Sequence, residues 1–296
     1  MKIAQRSTIF VGLAAAVVVV GILLFAFFGL KLGIDFTGGS LLEIRFIQER
    51  PEAKIISDKI QSLGVETVQV KTAGDTGVIV KMDDINEEKH QEILSIFNDS
   101  FGEVVEERFE TIGPVVGKEL KSKAYLAISL VLICIVLYLA YAFRKVSSHI
   151  SPWKFGVTAI AALIHDIAVI VGVFVLLGIF MGVEVDALFV TALLTVLGFS
   201  VHDTIVVFDR VRFNLIKSEG SKNITEVVNE SILQTLVRSI NTSSTTLLVL
   251  AALYLFGGAS IQWFVLALII GVLAGTYSSI FVASPLLVFW ERYSRK

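Results

Sequence analysis

Two aspartates stand inside long apolar stretches of this chain, where a charge is costly. Asp166 and Asp203 each follow a histidine, His165 and His202. An ionised carboxylate in hydrocarbon costs roughly 2.5–3.5 kcal/mol on insertion scales, and such groups often serve ion or proton relays. Because burial disfavours the ionised form and a neighbouring cation favours it, a buried carboxyl with a movable cation can act as a proton switch.

Arg238 is the candidate cation. It begins a polar run at the start of a later apolar stretch, and helical spacing places further polar residues on its face. We predict that Asp203, Arg238 and Asp166 form a proton or ion relay. The polar residues predicted to support it are Asn241, Thr242 and Thr245. The alternatives are a static ion pair and a polar stripe that packs helices together.

The two His-Asp pairs also suggest a metal site or an intramembrane aspartyl protease. Adjacent residues of a helix point about 100° apart, so neither pair aims both side chains at one ion. Paired carboxylates suit protease chemistry, but nothing beyond Asp166 and Asp203 supports a protease. We therefore expect no metal, no cofactor and no enzymatic activity.

The composition indicates a membrane protein with several spans. The 296 residues are 55% hydrophobic and 18% charged, with a mean hydropathy of +0.79, whereas soluble domains carry about 25% charged residues. The net charge of −2 argues against a nucleic-acid binder. The single cysteine, Cys134, excludes an intramolecular disulfide framework.

Six apolar stretches are long enough to cross a bilayer, which takes roughly 20 residues per helix. They predict transmembrane helices over 8–30, 124–143, 155–177, 187–208, 240–256 and 261–290. The predicted organisation is an N-terminus with helix 1 over 1–30, an extracytoplasmic domain over 31–123, and helices 2–6 over 124–296.

Charge is distributed unevenly between these regions. Residues 31–123 hold 30 of the 52 charged residues. The other 13 Lys and Arg lie at the two termini and in the connections after the second and fourth helices. Positive residues mark the cytoplasmic side, so we predict a multi-pass membrane protein with both termini in the cytoplasm.

The segment 31–123 alternates short strand and helix patterns. Period-two alternation predicts strands over 40–47, 66–71, 78–82 and 103–111, and helical spacing predicts helices over 51–63 and 85–97. This βαββαβ order is the ferredoxin-like α+β pattern. His90 falls on a charged helix face, and we expect it to be solvated.

A glycine-rich motif follows the first span, at the predicted outer interface. Its members are Gly33, Asp35, Phe36, Gly38 and Gly39. Glycines permit tight turns and close backbone approach, and the motif lacks the Lys-Ser/Thr pair of a phosphate-binding loop. We interpret it as an interface motif where the chain leaves the membrane.

Five blocks of sequence together resemble the SecD/SecF family of the bacterial protein-export machinery, a branch of the RND-type transporter superfamily. The blocks are 33–39, 113–120, 198–212, 234–243 and 255–258, and the Asp166 span also matches. They extend across nearly the whole chain, and those around Asp203 and Arg238 are the most specific.

The resemblance implies a location in the bacterial inner membrane and assistance of protein translocation, driven by the proton motive force. The implied partners are a SecD-like subunit, the SecYEG channel, the translocating polypeptide and membrane lipid, without nucleic acid. Asp203 and Arg238 match positions implicated in ion flow, and Asp166 matches a membrane acid. Phe213 stands where the family often has Glu. An RND-type exporter of small molecules or lipids and a scaffold without transport are the alternative functions.

Overall fold

The structure, a computed structural model, describes residues 3–143, 151–218 and 222–294. It divides into two compact units, one formed by Met1–Lys31 and Leu126–Lys296, the other by Leu32–Tyr125. Five of the basic residues used to predict orientation lie outside the described residues: Lys2, Arg144, Lys145, Arg295 and Lys296.

The described residues form ten α-helices and four strands. The helices are α1 Ser7–Phe28, α2 Ile34–Thr37, α3 Ala53–Gln61, α4 Glu87–Phe101, α5 Pro114–Ala142, α6 Pro152–Met181, α7 Ala187–Lys217, α8 Ile224–Phe256, α9 Gln262–Ser278 and α10 Ser284–Ser294. The strands are β1 Gly39–Phe46, β2 Val68–Ala73, β3 Gly77–Met82 and β4 Val104–Ile112. A π-helical turn, Ser279–Ala283, joins α9 to α10.

The prediction of six membrane spans is confirmed for the part of the chain that the structure describes. Six helical segments are long and apolar enough to cross a bilayer: Ala4–Phe28, Pro114–Ala142, Trp153–Met181, Ala187–Lys217, Ile224–Phe256 and Gln262–Ser294. The pattern of Asn223 followed by Glu226 predicts a helix that begins there and leads into the fifth span. This prediction is confirmed: Asn223 caps α8 by accepting a hydrogen bond from the Thr225 backbone N–H at 3.2 Å.

Close packing of α7 against α9 builds the centre of the helical unit. A β-carbon added to Gly271 would lie 2.2 Å from a methyl group of Val196, and one added to Gly275 would lie 2.9 Å from the Ser200 β-carbon. Small residues let membrane helices approach this closely. The two glycines therefore hold α9 near the α7 face that carries Ser200.

The second unit contains an antiparallel sheet in the order β2-β3-β1-β4. Every pairing in this sheet is antiparallel. One face is apolar because alternate strand residues such as Leu42, Ile44 and Val80 are fully buried. They pack with Ile60 of α3 and Phe97 of α4 in one core, which follows the period-two pattern of the strands.

The expectation that His90 is solvated is wrong. Its side chain is buried and stacks on Phe109 with ring centroids 3.7 Å apart. His90 lies three and seven residues before Ile93 and Phe97, which are core residues of α4. That helical spacing places all three on the buried face, and it outweighs the charged sequence neighbours of His90.

Candidate functional site

Asp166, on α6, is buried and bound by hydroxyl groups from two other helices. Its Oδ2 accepts hydrogen bonds from Ser200 Oγ at 2.5 Å and Ser278 Oγ at 2.8 Å. Its Oδ1 lies 3.1 Å from Nδ1 of His165, the preceding residue. Asp166 is only 1% exposed, so α7 and α9 supply the hydrogen-bond donors that a hydrocarbon environment lacks.

Asp203, on α7, has a second set of hydroxyl partners. Its Oδ1 accepts a hydrogen bond from Ser239 Oγ of α8 at 2.7 Å. Its Oδ2 accepts one from Ser279 Oγ. Asp203 is 7% exposed and both serines are buried. Each aspartate thus accepts hydrogen bonds from two serine hydroxyls that come from different helical segments.

Ser278 and Ser279 are consecutive residues, yet they bind different aspartates. Ser278 ends α9, and Ser279 begins the π-turn. Side chains of adjacent helical residues diverge by about 100°, so one hydroxyl faces α6 and the other faces α7. π-Turns inside helices occur frequently at functional sites, and this one lies where the two aspartates receive their hydroxyl partners.

The structure does not bring the predicted cation to Asp203. Arg238 is exposed in the isolated chain, and among the described residues the Asp203 carboxylate is bound by Ser239 and Ser279 and not by the Arg238 guanidinium. The predicted supporting residues Asn241, Thr242 and Thr245 are also exposed.

The opposite face of α8 supplies the inward polar contacts. Ser239 binds Asp203, and Ser243 hydrogen-bonds to Thr276 of α9. Ser239 and Ser243 are four residues apart, which puts them on one helix face. The sequence shows the spacing of Ser239 and Ser243. The polar residues on the other face, which begin with Arg238, form an equally regular pattern.

The two His-Asp pairs differ in their surroundings. His165 is buried beside Asp166 and stacks on Tyr277 with ring centroids 5.9 Å apart, whereas His202 is exposed. Within the described ranges no group of three or more His, Cys, Asp or Glu side chains is placed to hold a metal ion. The carboxyls of Asp166 and Asp203 also have separate hydroxyl partners, unlike a protease dyad that shares one proton.

The glycine motif forms a tight backbone contact inside the second unit. Gly38 and Gly39 have φ values of +79° and +121°, which favour glycine over other residues. A β-carbon on Gly38 would lie 2.8 Å from the Pro114 α-carbon, and one on Gly117 would lie 2.9 Å from the Gly38 nitrogen. The motif thus joins the start of β1 to the start of α5.

Two other motif residues, Asp35 and Phe36, lie in the short helix α2, and Gly33 precedes this helix as its N-cap. Phe36 is buried, Asp35 lies in the first turn, and Thr37 donates its hydroxyl hydrogen bond to the Gly33 carbonyl at 3.0 Å. Together with the close approach of Gly38 to Pro114, these contacts form a tightly packed turn.

Comparison with known proteins assigns the chain to a family. Residues 92–293 match the model for the C-terminal region of the protein export membrane proteins SecD and SecF. Residues 23–46 match the GG motif of SecD and SecF. The chain belongs to the SecD/SecF family. The family models therefore cover the segments that contain Asp166, Asp203, Arg238 and the glycine motif.

Curated relatives in this family are SecF protein translocase subunits. The one from Thermobaculum terrenum is 45% identical over 292 residues, which is 94% of this chain and 90% of the relative. The one from Vibrio alginolyticus is 42% identical over 264 residues, or 87% of this chain and 79% of the relative. The function of the chain is accordingly that of a protein translocase subunit.

A solved SecD/SecF family structure has the same fold. SecDF from Thermus thermophilus, a translocon-associated membrane protein, matches with a TM-score of 0.85 and 31% identity. The match covers 99% of this chain but 39% of SecDF. A SecDF structure in a super-membrane-facing form matches with a TM-score of 0.71 and 30% identity, over 100% of this chain and 39% of that one.

Proposed function

We propose that the chain couples the proton motive force to protein translocation, with Asp203 and Asp166 as its proton-carrying groups. This proposal rests on the two buried carboxyl groups of Asp166 and Asp203, whose oxygens accept hydrogen bonds from serine hydroxyls. A hydroxyl can either donate to or accept from a carboxyl. A carboxyl bound in this way can gain and lose a proton, whereas a buried ion pair resists protonation.

We infer that a partner subunit covers the exposed polar face of α8. This face carries Arg238 among exposed apolar neighbours such as Val237 and Ile240. Arg238 lies at the start of the predicted fifth span, and arginine side chains within or beside membrane spans usually face a polar partner or the interface and not lipid. A SecD-like subunit of similar architecture is the proposed partner, and its binding would place Arg238 inside the assembled membrane bundle, where it completes the relay with Asn241, Thr242 and Thr245.

The second unit is proposed to act outside the cytoplasm. Its βαββαβ order and antiparallel sheet support a ferredoxin-like domain, and the charge distribution supports termini in the cytoplasm. Membership of the SecD/SecF family supports a location in the bacterial inner membrane. In this orientation the domain meets the polypeptide that emerges from the SecYEG channel, while the exposed apolar faces of α1 and α5 meet lipid. The domain is proposed to bind its cargo without catalysing a reaction.

The test of proton coupling uses the complex with its SecD-like partner and SecYEG in proteoliposomes. Asp203→Asn keeps the size of the side chain and removes the titratable proton, so we expect translocation to lose its dependence on an imposed proton gradient. Asp209→Asn is the matched control, because Asp209 lies on the same helix and is exposed. Equal gradient dependence in Asp203→Asn and the parent would refute the proposal.

Crosslinking tests the role of the second unit. Photoreactive groups on residues 32–125 should react with an exporting polypeptide stalled in the channel. Reaction instead with small-molecule or lipid probes, together with co-purification without SecYEG, would favour the alternative exporter.

A further inference from the structure

The hydroxyls of Ser278 and Ser279 each have a second acceptor within reach, in addition to an aspartate. Ser278 Oγ lies 2.8 Å from Asp166 Oδ2 and 3.2 Å from the Gly275 carbonyl oxygen. Ser279 Oγ contacts Asp203 Oδ2 and lies 3.1 Å from the Thr276 carbonyl oxygen. A serine hydroxyl has one hydrogen, so each can donate to only one of these acceptors fully at a time.

Ser200 and Ser239 bind the same two aspartates, but each of these hydroxyls has a single acceptor. Among the hydrogen bonds of the described residues, Ser200 Oγ donates to Asp166 and Ser239 Oγ donates to Asp203, and neither has a backbone acceptor. If either stopped donating to its carboxylate, its buried hydrogen would be left without a partner, which costs free energy. Each aspartate therefore has one serine with a single acceptor and one with two.

We propose that Ser278 and Ser279 are two-way hydroxyls that let the two carboxyls change protonation state without moving a heavy atom. When the carboxyl is ionised, the serine donates to it. When the carboxyl is protonated, its new O–H donates to the serine oxygen, and the serine turns its own hydrogen to the carbonyl three residues earlier. Both states then keep every buried polar hydrogen paired.

This inference deepens the proposed proton relay and rests on it. Ser278 and Ser279 are positioning residues for the proton on Asp166 and Asp203. The ionisable groups around them are few among the described residues. On the Asp166 side they are His165 of α6 and Tyr277 of α9. On the Asp203 side, His202 of α7 and Arg238 of α8 are sequence neighbours of Asp203 and Ser239, and both are exposed.

The two kinds of serine are expected to differ in the pH profile of proton flux. Ser239→Ala removes a donor that chiefly stabilises the ionised carboxylate. We expect its flux to fall about tenfold near neutral pH and to recover at alkaline pH, which favours ionisation. Ser279→Ala removes a partner from both protonation states, so its flux should fall at every pH without recovery. Ser200→Ala and Ser278→Ala should show the same contrast at Asp166.

The measurement uses the assembled complex in proteoliposomes, with a lumenal pH dye and an imposed membrane potential. Ser279→Thr should restore flux, because threonine keeps the hydroxyl and can bond a carbonyl of the preceding turn. Ser284→Ala is the matched control: Ser284 donates to the Ser279 carbonyl in the same π-turn, and we expect the parental profile. If Ser279→Ala does not yield folded complex, Ser279→Cys replaces it, because a thiol is a weaker donor and acceptor.

An alkaline recovery in Ser279→Ala equal to that in Ser239→Ala would overturn the inference, because Ser279 would then act only as a donor. Failure of the relay itself has a different signature, since Asp203→Asn would then conduct protons like the parent. If Asp203→Asn abolishes flux while the two serine profiles coincide, the relay stands and the two-way hydroxyls do not.

Discussion

Gly275 lies directly against Ser200, and a β-carbon on the glycine would come within 2.9 Å of the serine β-carbon. Ser200 is itself a donor to Asp166. A methyl group at position 275 would therefore push α9 away from α7, and Ser278 would move with α9.

The first prediction is that Gly275→Ala weakens the complex and lowers proton flux. Overpacking of this kind typically costs about 1–3 kcal/mol. Gly198→Ala is the control, because Gly198 is also a glycine of a spanning helix and has open space around its α-carbon. Thermal unfolding in detergent and flux in proteoliposomes measure the effect, and equal behaviour of the two variants would contradict it.

The second prediction concerns the glycine motif. Gly38→Ala combines an unfavourable positive φ with a contact of 2.8 Å to the Pro114 backbone, so we expect a loss of more than about 2 kcal/mol in the stability of the second unit. Gly74→Ala carries a positive φ in open space and should cost about 1 kcal/mol. Hydrogen exchange of the sheet amides in the full chain separates the two, and similar losses would show that the Pro114 contact is unimportant.

The third prediction concerns a buried ion pair between α6 and α10. Lys154 Nζ lies 2.7 Å from Glu291 Oε2, with both side chains largely buried. Glu291→Gln leaves the ammonium without its counter-charge and should cost about 3–5 kcal/mol, whereas Lys154→Met with Glu291→Leu should recover most of the loss. The exposed pair Lys222–Glu230 supplies the control, and Glu230→Gln should leave the unfolding temperature unchanged. A double variant no more stable than Glu291→Gln would contradict this account.

The fourth prediction concerns Glu43 in β1, whose replacement by glutamine should stabilise the second unit in a pH-dependent way. Partial burial, followed by repulsion from Glu107, raises the pKa of the Glu43 carboxyl, and Arg108 offsets part of the rise. The folded state thus binds this proton more tightly than the unfolded state, and stability is lost as pH rises through the raised pKa.

Glu43→Gln should remove that loss. We expect the variant to be about 0.5 kcal/mol more stable at neutral pH, a value kept small because solvent screens a half-exposed group, and equal to the parent below the ordinary carboxyl pKa. Hydrogen exchange of β1 at matched pH measures the difference. Glu103→Gln, at an exposed position, should show no such trend, and a constant gain for Glu43→Gln at all pH values would exclude ionisation as the cause.

The spans and the buried aspartates were predictable because both follow from the cost of placing charge in hydrocarbon. The strands were predictable because alternate residues such as Leu42 and Ile44 face one core. Both signals are local and repeat with the period of the element that produces them.

Two features were not predictable in the same way: which face of α8 packs against the other helices, and the presence of the π-turn. Polar residues occupy both sides of α8 near Arg238, so helical periodicity alone does not select the side with Ser239. The stretch 261–290 is largely apolar apart from Gln262 and small hydroxyl residues, and no local signal marks the extra residue at the π-turn. These features depend on which helices pack together.

The π-turn after Ser278 has a consequence for how insertions and deletions are tolerated. It contains one residue more than an α-helical turn, and each residue of a helix adds about 100° of rotation. The extra residue therefore offsets the face of α10 from that of α9: Ser278 at the end of α9 binds Asp166, and Glu291 of α10 binds Lys154. Deleting one residue from Ser279–Ala283 would leave the composition of the span nearly unchanged, yet it would force the chain to give up one of these two sets of partners.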